Sequence, residues 1–116
     1  VTPGRYIRMR RQAAGLSIGD VLAVLAGGGV LSAPLEDIER DLAPATGMDA
    51  ALLSYAFSLD DMIVARLRDG EPVQVCRSCG CSEGYQCQDE HFGRCWLVAG
   101  ECSVCRHLAQ LEARAA

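Results

Sequence analysis

The residues able to do chemistry in this chain are its seven cysteines, and all of them fall between positions 76 and 105. They read Cys76-Arg-Ser-Cys79-Gly-Cys81, then Cys87, then Cys95-Trp96, then Cys102-Ser-Val-Cys105. A thiolate is a soft, anionic ligand that suits Zn²⁺, and a C-x2-C turn lets both sulfurs face one ion. Two such turns supply a closed tetrahedral site, so Cys76, Cys79, Cys102 and Cys105 form the first expected ligand set. Gly80 permits the tight backbone turn that wraps a chain around a metal.

Cys81, Cys87 and Cys95 are left over. Two tetrahedral ions need eight donor positions. Seven sulfurs meet that number if one of them bridges, or if a histidine joins the three remaining thiols. His91 is placed for the second option, midway in Cys87-x3-His91-x3-Cys95. His107 lies just past Cys105, near the start of an expected short terminal helix carrying Val104, Leu108 and Leu111. It is expected to face solvent or pack on the knuckle. The expected cofactor is one or two Zn²⁺, and an iron–sulfur cluster would use the same thiolate chemistry. Trp96 is the one large apolar piece available to pack over the cysteines, with Leu97 and Val98.

The odd cysteine count, the paired spacing and the lack of a signal-peptide pattern favour reduced thiols in a cytoplasm. A secreted disulfide framework is the alternative. No apolar run is long enough for a membrane span. Nothing resembles a phosphate-binding glycine loop, because residues 27–29 lack a following Lys-Ser/Thr. Glu83, Asp89 and Glu90 lie in the polar loop with nothing to fix them as a general base, and no enzyme is expected.

The elements that must present this segment come from the rest of the chain. Half of the 116 residues are hydrophobic, and the aliphatic ones concentrate before residue 70. The cysteine region has too little apolar material to fold alone, so a metal would supply the missing stability. Asp69-Gly-Glu-Pro72 breaks the chain. It divides an all-α domain at 1–70 from a cysteine-rich, metal-binding module at 71–116.

Five short helices are expected in the first domain. Residues 5–14 carry Tyr6, Met9 and Ala13 on one stripe, with Arg5, Arg8, Arg10 and Arg11 decorating the rest, and Gly15 ends the helix. Ser17 and Asp20 make a capping box for a second helix with Ile18, Val21, Leu22 and Leu25 inward. Pro34 opens a third, with Leu35, Ile38 and Leu42 inward, and Pro44 closes it. Thr46 and Asp49 cap a fourth bearing Met48, Ala51, Leu52, Tyr55 and Ala56. Ser58-Leu-Asp-Asp61 caps a fifth with Leu59, Met62, Ile63 and Leu67. The fold class is therefore mainly α: a compact five-helix domain, then an irregular zinc-binding module ending in a short helix.

Tyr-Ile-Arg-Met-Arg-Arg-Gln-Ala-Ala-Gly-Leu-Ser-Ile-Gly-Asp-Val (residues 6–21) resembles the opening of Cro/repressor-type (XRE) helix-turn-helix domains. Ile38-Glu-Arg40 and residues 52–67 resemble the later helices, so the likeness spans about residues 5–68. It implies a DNA-binding fold in which Arg5, Arg8, Arg10 and Arg11 touch phosphates. The third helix departs from the pattern. A loop over about residues 27–33 replaces the tight turn, and Glu36, Asp37, Glu39 and Asp41 oppose a single Arg40. That face repels a phosphate backbone and offers no Gln, Asn or Lys to read bases. Cys-Arg-Ser-Cys-Gly-Cys, Cys-Trp and the terminal C-x2-C resemble a cysteine-rich segment of phage and prophage proteins, which implies metal binding and a bacterial or phage setting.

Two functions follow as expectations. One is a small zinc-stabilised helix-turn-helix regulator that contacts DNA or a transcription-related partner. The other is an acidic protein-interaction module, a phage adaptor or inhibitor, that kept the fold without DNA recognition. The regulator is the leading expectation, on the Ala-Gly-Leu-Ser resemblance; the net charge of −4 and the acidic third helix favour the alternative, since no broad attraction to nucleic acid follows from them.

Overall fold

Short polar residues placed just before apolar runs set the helix starts. In the computed structural model, α1 spans Pro3–Ala13, α2 Ile18–Leu25, α3 Leu35–Glu39, α4 Gly47–Leu53 and α5 Asp61–Arg68. Further on, β1 (Leu97–Val98) and β2 (Glu101–Cys102) pair antiparallel, Leu97 opposite Cys102 and Val98 opposite Glu101. The structure describes residues 1–76 and 79–81, and the backbone of 97–98 and 101–102. The chain divides into two units, Val1–Val73 and Gln74–Ala116, where sequence places the break at 70/71. The expected terminal helix lies outside the described residues.

Both capping boxes form. The Ser17 hydroxyl accepts from the Asp20 N–H while the Asp20 carboxylate accepts from the Ser17 N–H, and Thr46 and Asp49 repeat the exchange at α4. Helix α1 starts earlier than its arginines suggest. Thr2 is its N-cap, its hydroxyl accepting from the Arg5 N–H, and Pro3 takes the first helical position. The cap of α5 is Asp60, whose carboxylate accepts from the Met62 N–H, rather than Ser58.

The core of the first unit joins α1 to α3 and α5, α4 to α5, and α2 to α4. Tyr6, Ile7, Val21, Leu35, Ile38, Leu53, Leu59 and Val64 are buried there. Each large apolar side chain so enclosed contributes about 1.5–3 kcal/mol. The Tyr6 hydroxyl, buried with its ring, accepts from the Asp60 N–H at 3.1 Å. That bond ties α1 to the cap of α5.

The expected inner faces of four helices are corrected. Helix α3 ends at Glu39, and Asp41 follows with φ +60°, so Leu42 is turned out and is 72% exposed. Helix α4 ends at Leu53, which leaves Tyr55 beyond it and 81% exposed. The buried stripe of α4 is Asp49, Ala50, Leu52 and Leu53, and Met48 faces out. Leu22 and Met62 are likewise exposed. The helical period is right at α4, but its phase is set by Asp49. That carboxylate turns inward to accept from the Ser32 N–H and hydroxyl as well as the Thr46 N–H. Among the described residues, no helix is long and apolar enough to cross a membrane.

Candidate functional site

The cysteine loop at 76–81 is closed by its own backbone. The Gly80 N–H donates to the Cys76 carbonyl at 2.8 Å, and the Cys76 N–H donates to the Cys81 carbonyl at 2.9 Å. Gly80 sits at φ +76°, a conformation that a side chain disfavours and that this reversal requires. The second bond brings position 81 back alongside position 76. As a result the Sγ atoms of Cys76, Cys79 and Cys81 all lie within 4.8 Å of one another. All three residues are buried, Cys79 at the margin, and none is in a disulfide.

These sulfurs lie close enough to hold a metal ion. A tetrahedral ion with metal–sulfur bonds of about 2.3 Å places its sulfurs ~3.8 Å apart, so side-chain adjustments of no more than about 1 Å complete the approach. Three thiolates around a divalent cation leave a local charge of −1 and one coordination position for a further donor. Cys81, which spacing alone assigns to a second site, thus joins Cys76 and Cys79. Cys102 lies in β2 by its backbone. Its side chain, together with Cys87, His91, Cys95 and Cys105, falls outside the described residues.

The four arginines separate into two classes, which corrects the expectation of a single phosphate-facing patch. Arg5 and Arg8 are exposed on α1. Arg10 is fully buried, and its Nε donates to the Ser58 carbonyl at 2.9 Å. Arg11 is buried against α3. Its Nε and Nη2 donate to the two carboxylate oxygens of Glu39 at 2.7 and 2.8 Å, and its Nη1 donates to the Leu16 carbonyl at 2.8 Å. The hydrogen bond to Glu39 holds the Arg11 pKa above its ordinary value. Burial works against that rise and the carboxylate charge adds to it. A signal for this was present in the sequence: Ile7, Arg10 and Arg11 share a helical face, at the i, i+3, i+4 spacing.

Helix α2, the loop after it and the start of α3 enclose a largely apolar groove of about 770 Å³. Leu22, Leu25, Val30, Leu31 and Leu35 line it, and Glu36 is its one charged lining residue among those described. Val30 is 90% exposed at this groove, and Leu22 and Val24 of α2 are also exposed. A smaller polar recess of about 140 Å³ lies between α1 and α3, lined by Arg8, Arg11, Glu36, Glu39 and Arg40. No protein-family model, curated protein or solved structure matches this chain.

Proposed function

We propose that the chain is a helix-turn-helix-like protein-interaction module whose cysteine-rich segment is stabilised by structural zinc. One observation carries the reading: the α2–α3 face, where a DNA reader of this type presents its recognition helix, is an apolar groove with one carboxylate, Glu36, at its edge. Helix α3 is five residues long and carries Glu36, Asp37 and Glu39. Two of the four arginines that could meet phosphates are spent inside the domain. The partner chemistry that fits is a basic helix with one apolar face. Its aliphatic side chains would enter between Leu22, Val30 and Leu35, and its cations would meet Glu36 and the overall negative charge. Zinc is the ion because thiolates dominate the donor set and a closed thiolate site suits a structural role.

A second reading keeps one supporting observation. Arg5 and Arg8 are exposed on α1 and could grip a phosphate backbone. Two probes decide between them on the full chain: a Leu/Lys amphipathic model helix, with its Leu/Glu counterpart as control, and a random-sequence DNA duplex. The interaction reading expects the Leu/Lys helix to shift amide signals of Leu22, Val30 and Glu36, and Val30→Glu to weaken it. It also expects no duplex shift at low salt. Salt-sensitive duplex binding that Arg5→Ala with Arg8→Ala removes would establish the DNA reading instead. Equal binding of both helices would reduce the groove to a nonspecific apolar patch. Elemental analysis of the purified protein tests the metal, with zinc the expected element.

A further inference from the structure

The geometry of the 76–81 loop points to a ligand arrangement other than two equal knuckles. We propose that Cys81 binds the same ion as Cys76 and Cys79. One loop then supplies three of the four donors of a single tetrahedral site, and the Cys102-x2-Cys105 pair contributes at most one. The proposal deepens the zinc reading above and rests on it.

A C-x2-C turn is complete once the Gly80 N–H has found the Cys76 carbonyl. Nothing in that turn requires residue 81 to return. It returns because the Cys76 N–H donates to the Cys81 carbonyl, which closes a ring around the sulfurs rather than sending the strand away. The consequence is mutual: each Sγ is within 4.8 Å of both others, so the three define a face of one tetrahedron rather than an edge plus a bystander. All three residues are also buried, so the sulfurs that the loop gathers are enclosed together.

Coordination number then redistributes the remaining cysteines. A four-coordinate ion with three sulfurs from this loop has one vacancy. Cys102 and Cys105 cannot both fill it. At least one of them is then left out of this ion's coordination. The chemical class of the ligand is a thiophilic divalent cation that accepts tetrahedral geometry, Zn²⁺ or its analogues Cd²⁺ and Co²⁺.

The test uses the intact wild-type chain loaded with an NMR-active cadmium isotope. Proton–cadmium correlation spectra identify each cysteine by the coupling of its β-protons to the metal it binds. The expected result is one cadmium resonance that correlates with Cys76, Cys79 and Cys81 together, and with no more than one of Cys102 and Cys105. The proposal is overturned if Cys81 correlates with a different resonance from Cys76 and Cys79, or with none. It is equally overturned if Cys102 and Cys105 both share the Cys76 resonance. A chain that takes up neither cadmium nor zinc would refute the underlying metal reading, a separate and recognisable outcome. As a second readout, Cys81→Ser should weaken zinc retention by on the order of a hundredfold in competition with a chromophoric chelator. Unchanged retention, with Cys76→Ser impaired, would sink the three-donor loop while leaving the metal in place.

Discussion

Replacing Arg11 by Ala should be among the most damaging single substitutions available on α1. The guanidinium makes two parallel bonds to Glu39 at 2.7 and 2.8 Å, with the two side chains only 11% and 4% exposed. Removing it strands a carboxylate that water hardly reaches and also leaves the Leu16 carbonyl without that donor. Breaking one partner of such a buried pair costs about 3–5 kcal/mol. A domain of this size loses about 4–8 °C of melting temperature per kcal/mol, so the expected fall is about 12–40 °C. The protein supplies its own control. Arg40 pairs with Glu36 at 3.0 Å, but those side chains are 65% and 58% exposed, and Arg40→Ala should cost no more than about 1 kcal/mol. Urea and thermal unfolding followed by far-UV circular dichroism measure both. A double variant, Arg11→Met with Glu39→Leu, should recover most of the loss, because it removes both charges together. If Arg11→Ala and Arg40→Ala prove equally mild, the pair does not hold α1 to α3, and Arg11 returns to the pool of surface cations.

Further outcomes follow from the other polar contacts. Burial pushes the Asp49 pKa up, but the hydrogen bonds from Ser32 and Thr46 outweigh it, so the folded value lies below the ordinary one. The unfolded chain therefore binds this proton more readily, and the stabilisation is full above about pH 4 and lost as pH falls through the folded value. Urea midpoints from about pH 6 to pH 2 should decline less steeply for Asp49→Asn than for the wild type. Gly4→Ala should destabilise by about 1–3 kcal/mol in thermal melts, although alanine favours helices, because its methyl carbon would sit 2.2 Å from the Ile38 carbonyl oxygen. Stripping metal with a chelator should leave the helical signal of the first unit intact while limited proteolysis opens new cleavage sites after residue 73.

What the sequence revealed depended on how local the cause was. Ser17 with Asp20 and Thr46 with Asp49 act within one turn, and each cap was legible from spacing alone. Leu42 and Tyr55 lie outside the core because α3 and α4 stop early, at Glu39 and Leu53; Asp41, just past α3, meets Thr2 and Gly4 far back along the chain, and the phase of α4 follows Asp49 as it meets Ser32. The arginines failed for a related reason. A run of four cations reads as a surface, yet Arg11 is buried because Glu39 arrives opposite it through the folding of α3 onto α1. At the cysteines, the symmetry of the two C-x2-C pairs drew attention from Cys81. Its closeness to Cys76 depends on a backbone bond that spacing does not encode.

Asp41 has a wider bearing than ending α3. Its carboxylate accepts from the Gly4 N–H at 3.0 Å and from the Thr2 hydroxyl, so the first turn of α1 is completed by a side chain 37 positions away. Amides at a helix start ordinarily trade protons with solvent through local fraying. The Gly4 amide is held by tertiary structure instead, so its exchange should slow to the rate at which α1 and α3 come apart. A proton near one end of the helical unit becomes a reporter of whether the whole unit is closed.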